Sequence, residues 1–155
     1  MNANKPHAMM LLLLLLLIVG AGCPARQQWI APAGFAVYPN EKPLKAVSPD
    51  GVVYRVRVEP NKQYRAGLPF WKEAMKKRML DVGYVFQRET DITANGKSGY
   101  LLELAAPVGA KDYLYLIAFF IDDEDNLVIM ESAGEVTRFD PRRKDIVTAI
   151  QTTRF

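Results

Sequence analysis

The chain reads as an α+β domain, an antiparallel sheet covered by two helices in an α/β/α sandwich, and three observations lead there. Stretches of period-2 alternation are separated by hairpin signals, Ser48-Pro49-Asp50-Gly51 and Asn95-Gly96 among them. Two segments with helical spacing each open on a proline, Pro69 and Pro141. The elements arrive as strands, helix, strands, helix, which is not the strict alternation of a parallel sheet. A length of 155 residues holds one domain and a tail, and excludes a large multidomain enzyme or a long repeat array.

The first 22 residues predict export. Lys5 and the free amino group precede an uncharged apolar run from Ala8 to Val19, seven of whose residues are consecutive leucines, and Gly20-Ala21-Gly22 closes it. Twelve helical residues reach roughly 18 Å at about 1.5 Å each, short of a hydrocarbon core of about 30 Å. A cleaved signal peptide over 1–22 is therefore expected rather than a spanning anchor. Residues 23–32, with Pro24 and Pro32 and no helical periodicity, are expected to form a flexible tether ahead of a domain at 33–155.

Within that domain Phe35 to Tyr38 is expected as a first short strand. Leu44 to Val47 and Val52 to Val58 make a hairpin about the Pro/Asp/Gly turn. In the second arm Val52, Tyr54, Val56 and Val58 share one face, with Arg55 and Arg57 on the other, predicted wet, side. From Pro69 the residues Trp71, Ala74, Met75, Met79 and Val82 form an apolar helical stripe that Gly83 ends. Four strands follow, over 84–93, 100–106, 113–121 and 127–130. The last helix is predicted to start with Asp140 as N-cap and Pro141 at its first position, burying Ile146, Ala149 and Ile150.

Composition removes much chemistry. His7 is the one histidine and Cys23 the one cysteine, so beyond residue 23 there is neither imidazole nor thiol. An internal disulfide, a Cys/His zinc site and His- or Cys-based catalysis are all excluded there. Carboxylate pairs stay open through Glu103, Asp112, Glu131 and Glu135. Glu103, opposite in phase to Leu102 and Leu104, is expected on a solvent face. Ser98 and Ser132 show no spacing to a lysine that would make a nucleophile pair. The turn Asp122-Asp123-Glu124-Asp125-Asn126 is dense in oxygen ligands but lacks the spacing and glycine of a calcium loop.

Charge is uneven. Residues 55–78 carry eight basic and two acidic side chains, whereas 81–135 carry three basic and eleven acidic, a polarity suited to steering a partner. Arg142, Arg143 and Lys144 fall where the last helix begins, a candidate anion-binding cluster. A formal net charge of +3 gives no footprint for nucleic acid, which is not expected as a partner.

Ala21-Gly22-Cys23 resembles the lipobox of bacterial lipoproteins, with Gly20 standing where that family has an aliphatic residue and Val19 supplying one a place earlier. The resemblance implies cleavage before Cys23, a diacylglyceryl group on its sulfur and an acyl group, such as palmitate, on its amino group. Pro24 rather than Asp after the cysteine implies, by the same resemblance, the periplasmic face of the outer membrane. Separately, the Ser48-Pro49-Asp50-Gly51 strand entry, the helix around Trp71, the meander from Tyr100 to Met130 and the Ile146/Ile150 helix resemble the PsbP and Mog-type family, which includes DcrB-like envelope lipoproteins. That likeness spans about 33–155 and implies a sandwich used for binding or assembly, with no shared active site to carry over. The expectation is a non-enzymatic envelope lipoprotein with no cofactor, whose partners are the bilayer, through acylated Cys23, and an envelope protein. A small-ligand or cation binder and a carboxylate-dependent hydrolase are the alternatives.

Overall fold

The computed structural model describes residues 27–108 and 111–155. One antiparallel sheet of seven strands forms the middle layer, with strands β1 (Ala36–Val37), β2 (Leu44–Val47), β3 (Val53–Pro60), β4 (Val85–Ala94), β5 (Lys97–Val108), β6 (Lys111–Ile121) and β7 (Asn126–Glu135). Their spatial order is β1-β2-β3-β7-β6-β5-β4. Helix α1 (Leu68–Asp81) carries the chain from the middle of the sheet to its far edge. The hairpin-linked meander then returns strand by strand until β7 lies against β3, pairing Val53 with Ala133 and Pro60 with Asn126.

Alternation assigns the two faces. Tyr54, Val56, Leu101, Leu116, Phe120, Val128 and Met130 form the larger core with Phe139, Ile146 and Ile150 from the C-terminal helices. Leu102, Leu104, Ile117, Phe119, Leu127 and Ile129 meet Met75 and Met79 of α1 on the other face. Helix α1 ends as its sequence requires. Gly83 adopts φ +94°, its N–H reaches the Leu80 carbonyl at 3.0 Å, and Tyr84 N–H reaches Met79 at 3.0 Å, which satisfies the terminal carbonyls. Val82, expected in the buried stripe, is instead the exposed C-cap residue, because the helix has already stopped.

Three further expectations are corrected. Asp140 does not cap the last helix. A short turn, α2 (Val136–Phe139), and a 3₁₀ segment (Asp140–Arg142) run straight into α3 (Arg143–Thr152), so Asp140 is already in right-handed helical backbone and its side chain caps nothing. Glu103 does point away from Leu102 and Leu104, but that face is covered by α3, so the carboxylate is buried rather than solvated. The chain expected to be tether already packs from Gln28. Gln28 and Arg154 exchange backbone hydrogen bonds of 2.8 and 3.1 Å, Trp29 stacks on Phe155 at 6.3 Å, and Pro32 is buried. The signal segment and Cys23 lie outside the described residues.

Candidate functional site: a trough beside helix α1

Helix α1 is too narrow to cover the sheet. It lies mainly on β4 and β5, its Met75 and Met79 reach Leu127 and Ile129 of β7, and a groove remains between it and β3. The result is a trough made of two adjoining cavities of about 460 and 250 Å³. Arg57, Met75 and Arg78 line both, so the two are continuous. Leu127, Ile129 and Ile117, each at most 2% exposed, close its base. Arg57, Glu59, Arg78 and Glu131 supply charge, and Tyr64 and Trp71 stand at one end with Tyr84 and Tyr115 at the other.

The mouth near Trp71 is held by Asn61, which is fully buried. Its side-chain amide donates to the Ala66 carbonyl at 3.1 Å and to Asp125 at 2.8 Å, and its oxygen accepts the Trp71 indole N–H at 2.9 Å. One asparagine thus ties the loop after β3, the first turn of α1 and the β6–β7 turn together. Nothing in the sequence singled it out beyond its place after Pro60.

At the other end Glu131 is the hub. The Arg57 guanidinium donates to it through Nε (3.0 Å) and a terminal nitrogen (2.8 Å), a planar two-point fit, and the Tyr115 hydroxyl donates at 2.6 Å. Burial pushes the Glu131 carboxyl up, but the Arg57 fork and the Tyr115 hydroxyl outweigh it and hold the group below its ordinary value of 4.5. Burial, and then the Glu131 charge, push the Tyr115 hydroxyl up, so it stays protonated and acts as a donor. Because the folded Glu131 value lies below the unfolded one, its stabilisation is complete above about 4.5 and is lost as pH falls through the folded value. Urea midpoints taken between about pH 6 and about pH 3 are expected to fall, and Glu131→Gln to flatten that fall. An equally steep fall in the variant would remove Glu131 from the account.

The other residues read from the sequence do not converge here. Arg142, Arg143 and Lys144 lie across the sheet, at the start of α3. Arg142 stands 3.6 Å from Asp50, and Arg143 bonds Glu103 at 2.6 Å and Asp140 at 3.0 Å, so two of the three cations already hold carboxylates, while Lys144 has no ion pair among the described residues. Glu103 also takes the Arg88 guanidinium, and Glu135 takes Lys111 and Arg138. Asp122 spends its oxygens on its own turn, accepting from Glu124 N–H, Asn126 N–H and the Asn126 amide. Among the described residues no three acidic, His or Cys side chains are grouped to hold a metal ion, and no helix is long and apolar enough to cross a membrane. Ser132 donates to the Val53 carbonyl at 2.8 Å.

The architecture is the PsbP-like fold. A Pseudomonas aeruginosa protein of unknown function, PA94, superposes with a TM-score of 0.59 at 13% identity, over 86% of this chain and 88% of that one. LpqN of Mycobacterium tuberculosis, described as involved in cell envelope biogenesis, gives 0.54 at 13% identity, over 84% of each chain. The cyanobacterial PsbP of Synechocystis gives 0.51 at 11% identity, over 85% of this chain and 96% of that one. No family model and no curated protein matches the chain.

Proposed function

We propose that this chain is an envelope lipoprotein, anchored through acylated Cys23 on the periplasmic face of the outer membrane, whose sandwich domain binds an envelope protein and catalyses nothing. The observation that carries the binding role is the trough itself. It is open and lined by aromatic and charged side chains, while Glu103, Glu131 and Glu135, three of the four acids left open for an acid–base mechanism, are each held by cations. Open surfaces of this make-up suit a polypeptide better than a small enclosed ligand. The signal ending Ala21-Gly22-Cys23 supports the anchor, and the fold it shares with LpqN agrees with an envelope setting.

Growing cells on an alkyne-bearing palmitate and then fractionating them tests the anchor. The wild-type chain is expected in the membrane fraction carrying label. Cys23→Ser is expected to lose the label and to keep residues 1–22 by intact mass, because the lipid-directed cleavage needs the thiol. An unlabelled wild-type chain with a bare sulfur at Cys23 would defeat the anchor.

A further inference from the structure

Most cations of this domain are paired locally, and four of the seven exceptions among the described residues lie near the trough beside α1. Lys72, Lys76, Lys77, Arg88, Lys97, Lys111, Arg138, Arg142 and Arg143 each stand within ion-pair distance of a carboxylate. Among the described residues Lys42, Arg55, Lys62, Arg65, Arg78, Lys144 and Arg154 have no such partner, and four of these seven, Arg55, Lys62, Arg65 and Arg78, lie on or next to the trough. Arg78 lines it, Arg55 is the neighbour of Glu131 across the β3–β7 ladder, and Lys62 and Arg65 flank Gln63 and Tyr64 of its mouth. Inside, Arg57 is balanced by Glu59 and Glu131. Within the trough Arg57 and Arg78 thus match Glu59 and Glu131, and Arg55, Lys62 and Arg65 near its edge leave the surroundings net positive.

We propose that the trough takes an extended, acidic segment of a partner protein, laying apolar side chains on Tyr64 and Trp71 and carboxylates on Arg78 and the neighbouring unpaired cations. This rests on the reading of the chain as a protein-binding module and names where and what it binds. The dimensions agree. From Trp71 to Val82 helix α1 advances about 16 Å, the length of about five residues of extended chain. Alternating side chains of such a strand would present apolar groups to the aromatic side chains on one face and carboxylates to the cations on the other. Two exposed aromatics at the mouth, Tyr64 and Phe70, pack edge-on to Trp71 at 6.1 and 5.4 Å and extend the apolar surface.

Trp71 also supplies a reporter, because the second tryptophan, Trp29, lies on the opposite face against Phe155. The test uses the full chain in non-ionic detergent, a short fluorescein-labelled peptide of alternating leucine and glutamate, and its leucine–lysine counterpart. Anisotropy is expected to show saturable binding of the glutamate peptide alone, with a change in Trp71 emission in a Trp29→Phe background. Arg78→Glu is expected to weaken it about tenfold or more, while Lys144→Glu, the same charge change across the sheet, leaves it unaltered. Equal loss in both variants would reduce the effect to net charge and overturn the site. So would binding of the lysine peptide, or a Trp71 response to phosphatidylglycerol vesicles without one to the peptide. A photo-crosslinker placed at position 78 or 144 in cells separates this inference from the broader one. A partner captured only from position 144 would sink the trough and spare the protein-binding role, whereas a chain that crosslinks to no protein from either position would sink both.

Discussion

Gly99→Ala is expected to destabilise the domain by about 3 kcal/mol, at the upper end of what an added core methyl costs. Gly99 lies on β5 directly opposite Phe120 of β6. A methyl group there would press into the Phe120 ring and stand 2.5 Å from the Phe119 carbonyl oxygen, and that oxygen belongs to the ladder and cannot retreat. Replacing glycine ordinarily gains roughly 0.5–1 kcal/mol in a strand, so the clash decides the sign. Gly67→Ala is the control, since its nearest neighbour is the Pro69 ring at 3.6 Å and its backbone is extended. That change is expected to stay within about 0.5 kcal/mol. Urea unfolding of both variants checks the pair, and equal midpoints would refute the packing argument.

Arg143→Met is the second large effect. Arg143 reaches from α3 to Glu103 on β5 at 2.6 Å, and the Glu103 side chain is only 8% exposed. Removing the cation strands a buried carboxylate. Breaking a fully buried pair costs about 3–5 kcal/mol. Here Arg88 remains on Glu103 and Arg143 itself is 31% exposed, so about 2 kcal/mol is the expected loss. The double variant Glu103→Leu with Arg143→Met leaves no buried charge unpaired, because Arg88, 63% exposed, is then met by water, and in a face already lined by Leu101 and Ile146 most of the loss is expected to return. A double variant no better than Arg143→Met would mean that helix packing, and not charge, was disturbed.

Those two positions also mark where reading from the sequence stops. Local chemistry was legible. Asn95-Gly96 turns, with φ of +49° and +78°, where an asparagine–glycine pair should, Gly83 ends α1, and alternation put Glu103 on the face opposite Leu102 and Leu104. What that opposite face meets depends on where a helix some forty residues later settles, and no local pattern carries this. The β3–β7 pairing is equally long-range, joining residues separated by α1 and three strands. It brings Arg57 onto Glu131 and thereby builds the centre of the trough, which is why Arg57 did not stand out and Glu131 stood only among four open carboxylates. The start of the last helix was misplaced for a different reason. Asp140-Pro141 is a good opening signal, but Val136–Phe139 is already helical and buries Phe139, and tertiary burial overrides a cap preference of about 1 kcal/mol.

The pairing of Gln28 with Arg154 fastens the chain's entry beside its exit, on the side of the sheet away from the trough. Five Cα steps separate Cys23 from Gln28, a leash of at most about 18 Å when drawn taut. With a lipid at its end, the body could neither roam far from the leaflet nor somersault freely over it. The cationic trough would then be presented outward, and a client would have to arrive from the aqueous side instead of sliding in along the lipid.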